Sequence, residues 1–297
     1  MPAGNPHRRP EAAARFLAMG HIVWIASYPK SGNTWVRAFL HEILRQDGGA
    51  FDLDRMAQTA GNEASIDNYR AIDPRPWSRW TPGEVARARP AAQAAFARRH
   101  RHVVFCKTHL AVLRSRGRST INMDVTAGAI YIVRNPLDIA SSYADHQGVP
   151  LDVAIDLMNL ENHETPSTSS HVSELLGSWS QNVETWTRRS LPGLHIMRYE
   201  DMLISPVASF SGLAAFLKLK VGRRRIKEAV RTTSFGNLRR QEDQKGFGER
   251  SAPQKRFFRQ GRAGTWRTAL SASQVTQITS RNEAMMRKFD YWKDVES

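Results

Sequence analysis

The side chains of Lys30, Ser31 and Thr34 supply one ammonium group and two hydroxyl groups within five residues, a combination that suits phosphate binding. They lie in a break, residues 29–34, between an apolar strand-like run at residues 22–28 and a helix-like run at residues 35–44. Apolar residues of the second run recur at spacings of three and four. A strand, a tight turn and a helix start direct backbone N–H groups and a helix dipole at an anion. The sequence therefore predicts a phosphate-binding turn.

This turn differs from the Walker A loop of nucleotide-binding proteins. That loop has the pattern G-x-x-x-x-G-K-[ST], in which a glycine directly precedes the lysine, whereas here the lysine precedes Gly32 and no glycine lies four or five residues upstream. A simple surface corner is the other alternative. Such a corner needs neither the two hydroxyl groups nor Trp35 at the start of the helix, so the phosphate-binding interpretation is favoured.

Polar residues also follow three later strand-like runs. The runs and the residues that follow or end them are 102–109 with Lys107 and His109, 129–133 with Arg134, and 194–199 with Tyr199. Ligands of parallel α/β sheets bind at the carboxyl ends of the strands. A single histidine is more often a solvated surface residue, but Lys107 two positions earlier makes a site at His109 the better interpretation.

The order of elements predicts an α/β fold, a single domain over residues 21–297 with a central parallel sheet of four or five strands between helices. Residues 1–20 are predicted to be a loose lead-in, with a short helix at 11–19. Residues 48–101 lack strand signals and are predicted to be a helical excursion. Other predictions are a helix at 84–102 interrupted or begun at Pro90, a mobile or peripheral segment at 151–168, helices at 173–189, 206–217, 223–231 and 272–289, and a flexible loop at 241–255 that could close over the site.

Composition narrows the class of protein. The 297 residues carry 43 Lys and Arg against 28 Asp and Glu, a formal net charge of +15, which suits a nucleic acid, an anionic membrane surface or a polyanionic small molecule. Cys106 is the single cysteine, so the chain cannot form an intramolecular disulfide, and a reducing compartment is expected. No signal peptide or membrane-length apolar run is found. We therefore predict a cytoplasmic protein.

Six separated segments, in order from residue 21 to residue 267, resemble the motifs of the sulfotransferases that use 3′-phosphoadenosine-5′-phosphosulfate (PAPS), in their soluble, bacterial-type form. YPKSGNTW resembles their 5′-phosphosulfate loop, KTH the segment with the catalytic base, and YIVRNPLDIASSY the 3′-phosphate motif. RYEDM and TSF resemble segments that contact the adenine. FRQGRAGTWR resembles the box R-K-G-x-x-G-D-W-K, although Gln260, Thr265 and Arg267 replace its Lys, Asp and final Lys.

The resemblance implies sulfuryl transfer from PAPS to a hydroxyl or amine of an acceptor, with 3′,5′-diphosphoadenosine released and no metal required. It implies His109 as general base, Lys107 as its neighbour at the bridging or sulfuryl oxygens, and Lys30 as the charge that stabilises the leaving phosphate. The implied nucleotide-binding residues are Lys30, Ser31, Gly32, Asn33, Thr34, Trp35, Arg134, Ser142, Tyr199, Thr233, Phe235, Arg259, Gln260 and Gly261.

Two other functions and the acceptor stay open. A P-loop kinase would share the first strand, turn and helix, but it needs a Walker lysine and a carboxylate for Mg²⁺, which are not found in place. A nucleic-acid-binding protein would explain the positive charge, but the arginines are scattered rather than arranged in a stripe. The acceptor is expected to be a small molecule, a sugar or a lipid, held by residues 52–101 and 151–168. The oligomeric state stays open, because the dimer motif K-x-x-x-T-V-x-x-x-E of the cytosolic animal enzymes is not matched after the last box.

Overall fold

A five-stranded parallel sheet lies at the centre of the fold, which confirms the α/β prediction. The computed structural model describes residues 20–45, 48–188 and 193–296, so the predicted lead-in helix at 11–19 lies outside the described residues. The strands are β1 (Ile22–Ser27), β2 (Ala60–Asn62), β3 (Val104–Thr108), β4 (Arg114–Ser115), β5 (Arg118–Ser119), β6 (Thr126–Val133) and β7 (Leu194–Arg198).

Helices cover both faces of this sheet. They are α1 (Asn33–Leu44), α2 (Ile66–Arg70), α3 (Pro82–Arg98), α4 (Pro136–Gln147), α5 (Leu151–Asn159), α6 (Trp179–Thr187), α7 (Tyr199–Ile204), α8 (Pro206–Phe216), α9 (Arg223–Thr232), α10 (Phe235–Lys245), α11 (Trp266–Ala269), α12 (Ala272–Lys288) and α13 (Lys293–Glu296).

The strand order is β2-β3-β1-β6-β7, and every neighbouring pair is parallel. The short strands β4 and β5 form a separate antiparallel pair. In register, Ser27 of β1 lies opposite Ile132 of β6, and Val133 of β6 lies opposite Arg198 of β7. The carboxyl ends of these strands therefore meet at one edge, where the polar residues that follow them come together.

The central strands are apolar because both of their faces are buried. On one face Tyr131 of β6 stacks on Trp186 of α6, with ring centroids 6.0 Å apart. On the other face Ile25 of β1 lies in a cluster where Phe39 of α1 and Phe210 of α8 stack at 4.3 Å. Helices from distant parts of the chain thus fix the sheet, and the sheet edge positions the site.

Several predicted boundaries are wrong. The excursion at 48–101 contains strand β2, which is only three residues long and pairs at the sheet edge with β3. Helix α3 begins at Pro82 and continues through Pro90, because Thr81 and Glu84 form a capping box that starts the helix earlier. The predicted loop at 241–255 is helical as far as Lys245, within α10.

Two further segments differ from their predictions. The predicted helix at 173–189 starts only at Trp179, because the Ser178 side chain caps it by accepting from the amide of Gln181. Residues 151–168, predicted to be mobile or peripheral, begin with α5, whose Ile155 and Met158 are fully buried in the main core. No helix in the described ranges is long and apolar enough to cross a membrane.

Candidate active site

The turn after β1 contains two residues with positive φ angles, and only one of them is a glycine. Lys30 has a φ of 65° and Gly32 a φ of 102°, so two residues of the turn adopt left-handed conformations. For Lys30 this is an uncommon conformation, of a kind found at functional sites. At Gly32 a side chain is also excluded, since a Cβ atom would lie 2.7 Å from Cδ2 of Tyr199. The glycine therefore lets Tyr199 pack against the turn.

Two side chains of the predicted phosphate loop hold the turn in place. The Asn33 amide donates to the carbonyl of Ile25 at 2.9 Å, and its oxygen accepts from Arg37 Nε at 3.0 Å. Thr34 Oγ1 accepts from Arg37 Nη2 at 3.1 Å. The side chain of Asn33 is therefore used within the protein, and its backbone amide is the group left at the start of α1 for a ligand.

Four buried polar atoms around the turn have no hydrogen-bond partner in the part of the chain that the structure describes. They are Lys30 Nζ, Ser31 Oγ, Trp35 Nε1 and Arg134 Nε. Buried polar atoms are nearly always paired in folded proteins. A cluster of buried atoms that can all donate is what an anion with several oxygen atoms would satisfy. The residues present therefore fit a polyanionic nucleotide such as PAPS.

Burial and neighbouring cations both affect the protonation of the Lys30 ammonium group. Burial lowers the pKa of Lys30 to about 8, Asp145 opposes this effect, and Arg134, Arg259 and Lys107 add to the lowering. Its Nζ lies 4.2 Å from the centroid of the Phe257 ring, a weak cation–π contact. Lys30 is therefore mainly an ammonium group at neutral pH, and a bound anion would stabilise that form.

His109 lies directly after β3 with one of its two ring nitrogens fixed. Nδ1 lies 2.8 Å from the carbonyl oxygen of Ser27. Because a carbonyl oxygen only accepts, Nδ1 carries the proton and Nε2 of the neutral ring keeps its lone pair. Burial lowers the pKa of His109 well below its ordinary value, and Lys107 lowers it further. The ring is therefore neutral at neutral pH, with Nε2 able to take a proton.

Asn182 of α6 fixes the backbone on which His109 stands. Its fully buried amide donates to the carbonyl of His109 at 2.9 Å and to that of Leu176 at 2.8 Å. Its oxygen accepts from Tyr131 Oη at 2.9 Å. Every polar atom of this side chain is thus paired, so Asn182 is a positioning residue. Sequence reasoning missed it because nothing in its local pattern marks it.

Arg134 joins the turn to residues 258–267, the last of the motif-like segments, which we call the last box. Nη1 donates to the carbonyl of Lys30 at 3.0 Å, and Nη2 donates to the carbonyl of Arg262 at 3.1 Å. The guanidinium also lies 4.3 Å from the centroid of the Tyr199 ring. Arg259, which is more exposed, lies 3.6 Å from a carboxylate oxygen of Asp145. Both arginines are thus at the cavity, and Arg134 is the more firmly held.

Asp138, which sequence reasoning missed, holds the last box against α4. Its carboxylate accepts from the amide of Gly264 at 2.7 Å, from the Thr265 hydroxyl at 3.0 Å and from the amide of Trp266 at 3.1 Å. Thr265 stands where the family's box has an Asp, and its hydroxyl has Asp138 as its hydrogen-bond partner. The position of Asp138, one turn into the helix after Arg134, was the available signal.

One cavity of about 680 Å³ brings the predicted site residues together. Of those residues, all except Ser31 and Thr233 line it. Ser31 lies buried within the turn, and Thr233 is fully buried with its hydroxyl donating to the carbonyl of Ala229 at 2.8 Å. Trp77 and Trp80 do not line the cavity, and Trp80 packs against Tyr69.

Residues 246–258, which we call the strap, cross the cavity. Glu249 binds Arg37 with both carboxylate oxygens, each at 2.6 Å from a guanidinium nitrogen. Ser251 donates to the carbonyl of His146 at 2.8 Å, and the amide of Phe258 donates to Glu242 at 2.9 Å. The strap is therefore tied to α1, α4 and α10.

A second histidine, His146 of α4, also lines the cavity. Its Nδ1 lies 3.1 Å from the side-chain oxygen of Gln254 in the strap. Burial lowers its pKa to about 4, with Lys30 adding to the effect. Within the described ranges, no group of three or more His, Cys, Asp or Glu residues could hold a metal ion.

Proteins of known family are similar to this chain over most of its length. The family described as "Sulfotransferase domain" matches residues 21–290. The luciferin sulfotransferase of Photinus pyralis is 23% identical over 282 residues, which cover 90% of this chain and 69% of the relative. Sulfotransferase 1A1 of the dog, Canis lupus familiaris, is 26% identical over 272 residues, covering 89% and 83%.

Solved structures share the fold. Mouse sulfotransferase SULT7A1 complexed with PAP aligns with a TM-score of 0.60 at 19% identity, over 97% of this chain and 92% of that one. Retinol dehydratase in a complex with retinol and PAP aligns with a TM-score of 0.60 at 20% identity, over 89% and 81%. Because the family match spans residues 21–290 of the 297, the chain belongs to the sulfotransferase family.

Proposed function

We propose that this protein transfers a sulfuryl group from PAPS to a hydroxyl or amine of a small acceptor and releases 3′,5′-diphosphoadenosine. The observation that carries the proposal is the set of unpaired buried donors on Lys30 and Arg134, with the Ser31 hydroxyl beside them in the turn, at a cavity that His109 also lines. Structures similar in fold were solved with PAP, and one of them also with retinol, which supports a nucleotide and a small molecule bound together.

The nucleotide is assigned to the turn and to the last box. The amides at the start of α1 and the ammonium of Lys30 would hold the 5′-phosphate. Arg134, Ser142 and Arg259 would bind the 3′-phosphate, with Gln260 and Gly261 beside it. Trp35, Tyr199 and Phe235 would frame the adenine. Thr233 would act by supporting Phe235, since its own hydroxyl is used within α9.

The reaction needs one proton acceptor and one stabilised leaving group. Nε2 of His109 would take the proton of the acceptor hydroxyl as its oxygen forms a bond to sulfur. The bond between sulfur and the phosphate oxygen breaks, and its electron pair stays on that oxygen, where Lys30 stabilises the negative charge. Lys107 would stabilise the transferred oxygens. Positioning and charge stabilisation supply most of the rate enhancement in such in-line transfers.

Thermal unfolding with nucleotides tests the donor. A ligand bound only by the folded state stabilises it by about 2.7 kcal/mol at about 100 times its Kd. 3′,5′-Diphosphoadenosine should therefore raise the Tm clearly, and adenosine 5′-phosphosulfate, which lacks the 3′-phosphate, should raise it less. Ser142→Ala should narrow this difference.

Transfer of labelled sulfur from PAPS to a panel of alcohols and amines tests the reaction itself. Equal Tm shifts with both nucleotides would contradict the 3′-phosphate assignment. Slower migration of single-stranded or duplex DNA with the protein in an electrophoretic shift assay, together with no Tm shift from either nucleotide, would instead favour the nucleic-acid-binding alternative.

A further inference from the structure

Beside His109 the cavity is bounded by a hairpin-like segment, residues 164–176, which we call the acceptor wall. The amide of Thr165 donates to the carbonyl of Glu174 at 2.9 Å, and that of Thr168 donates to the carbonyl of His171 at 2.7 Å. The segment is also pinned to the residues after β2, because the amide of Val172 donates to the carbonyl of Ala64 at 2.9 Å. The wall is therefore a fixed surface.

The acceptor wall is polar. The residues that it contributes to the cavity lining are Thr165, Thr168, Ser170, His171, Glu174 and Leu176. The phenyl, phenol and indole rings among the described lining residues belong to the nucleotide side and the strap, where Trp35, Tyr199, Phe235, Phe257 and Phe258 lie. A flat apolar acceptor against this wall would cover polar groups without pairing them, which lowers its affinity.

Glu174 is the group on this wall with the strongest need for a donor. One carboxylate oxygen lies 3.4 Å from the amide of His109, a weak contact, and no other partner of the carboxylate occurs in the described part of the chain. Burial raises the pKa of Glu174, and Lys107 opposes that effect. Hydroxyl donors of a bound molecule would supply the hydrogen bonds that the charged carboxylate lacks.

We infer that the acceptor is a polyhydroxyl molecule of the sugar class, with the reacting hydroxyl at His109 and a neighbouring hydroxyl donating to Glu174. This inference rests on the proposed function and specifies its acceptor. His171 contributes a further polar contact, since its Nδ1 is paired with Ser170 Oγ at 2.8 Å and its other ring nitrogen is left for a ligand. Glu174 is thus a specificity-determining residue.

The test measures transfer of labelled sulfur to methyl glycosides of glucose, galactose, mannose and N-acetylglucosamine, and to 4-nitrophenol, 2-naphthol and cyclohexanol. Glycosides should be sulfated with the higher kcat/KM. For the best glycoside, the analogue lacking the hydroxyl next to the reacting one should lose about tenfold in kcat/KM. Glu174→Gln should raise the KM of the intact glycoside by a similar factor and should barely affect the deoxy analogue.

The matched control is Glu161→Gln, an exposed carboxylate that does not line the cavity, which should leave the KM unchanged. The deoxy series on the unmodified protein keeps the test valid if Glu174→Gln folds poorly. Transfer to the phenols or cyclohexanol alone, or to none of the compounds while 3′,5′-diphosphoadenosine still raises the Tm, would overturn the sugar assignment only. No Tm shift and no transfer would remove the donor proposal, and the inference with it.

Discussion

The two ends of the cavity are built in different ways. At the nucleotide end, Arg134 and Tyr199 directly follow parallel strands and Lys30 lies three residues after β1. The unpaired donors there are cations, a hydroxyl and an indole N–H. At the acceptor end, the lining comes from the acceptor wall, which is paired to itself and to the residues after β2. The unpaired charged groups at the first end are cations, whereas the second end combines hydroxyls, an imidazole and a carboxylate.

The nucleotide end is built from general features of a parallel sheet, whereas the acceptor end is built from side chains that are particular to this protein. A polyanionic nucleotide needs converging donors, which strand ends and helix starts of a parallel sheet provide through the backbone itself. An acceptor is recognised by side chains on a connecting segment, which can vary without disturbing the sheet. His109 stands between the two ends, because its ring is tied to β1 through Ser27 and its backbone to α6 through Asn182.

Replacing His109 should separate chemistry from nucleotide binding most sharply. General-base catalysis contributes about 10²–10⁴-fold, so His109→Ala should lower kcat by about that factor and leave the Kd of 3′,5′-diphosphoadenosine nearly unchanged. Steady-state kinetics and nucleotide titration measure the two effects. The control is His102→Ala, at an exposed histidine just before β3. If His146→Ala lost the activity and His109→Ala kept it, the base would be on α4 instead.

Replacing Lys30 should damage the nucleotide end in the transition state more than in the ground state. Removing a group that stabilises developing negative charge costs about 10²–10³ in kcat. Lys30→Ala should show that loss with a smaller rise in the KM of PAPS, because the backbone amides of the turn survive. Lys30→Arg should rescue the activity only in part, since a planar fork does not replace a compact ammonium.

The control for this experiment is Lys220→Ala, a substitution of an exposed lysine before α9. Normal kcat in Lys30→Ala with only a raised KM would reduce Lys30 to a docking charge. No change in either constant would remove the turn from the reaction.

The pH dependence of kcat/KM should show a fall at high pH caused by Lys30 and a fall at low pH caused by His109. Lys30 has a pKa lowered to about 8, so its ammonium is lost as the pH rises through that value. The kcat/KM for PAPS should therefore fall above about pH 8, and the fall should be absent in Lys30→Arg. His109 must be unprotonated, and its lowered pKa places the acid limb below the ordinary value of about 6.5. An acid limb above pH 7 would contradict the assignment to His109.

Sequence reasoning succeeded where chemistry and local pattern coincide. The turn, His109, Arg134 and Tyr199 follow apolar runs with clear strand composition, so their shared edge could be predicted. Asn182 and Glu174 could not, because their roles depend on contacts with residues 73 and 65 positions away. Strand β2 was missed because its three residues, Ala60–Asn62, carry no strand pattern and are held by pairing with β3.

The smallest expected effect tests whether the strap couples the two ends. Arg37 is buried, and Glu249 is its anionic partner; burial raises the pKa of Glu249, but Arg37 and Lys107 outweigh that effect and hold it well below its usual range. Glu249→Gln would leave Arg37 without a counter-charge.

Because Glu249 is about a third exposed, the expected loss of stability is about 1–2 kcal/mol rather than the larger cost of a fully buried pair. Dissociation of 3′,5′-diphosphoadenosine should become about fivefold faster, since the strap is held less firmly. Stopped-flow displacement measures that rate, and Glu283→Gln, which breaks the exposed pair with Arg287, is the matched control.

The sign of the pH dependence gives an independent check on the same pair. A carboxyl group whose pKa is lowered in the folded state contributes stability above its unfolded pKa of about 4.3, and that contribution is lost as the pH falls. The Tm difference between wild type and Glu249→Gln should therefore be full near pH 7 and should shrink below about pH 4. A difference that is independent of pH would mean that the Arg37–Glu249 ion pair is not what holds the strap, and unchanged dissociation would mean that the nucleotide is retained without it.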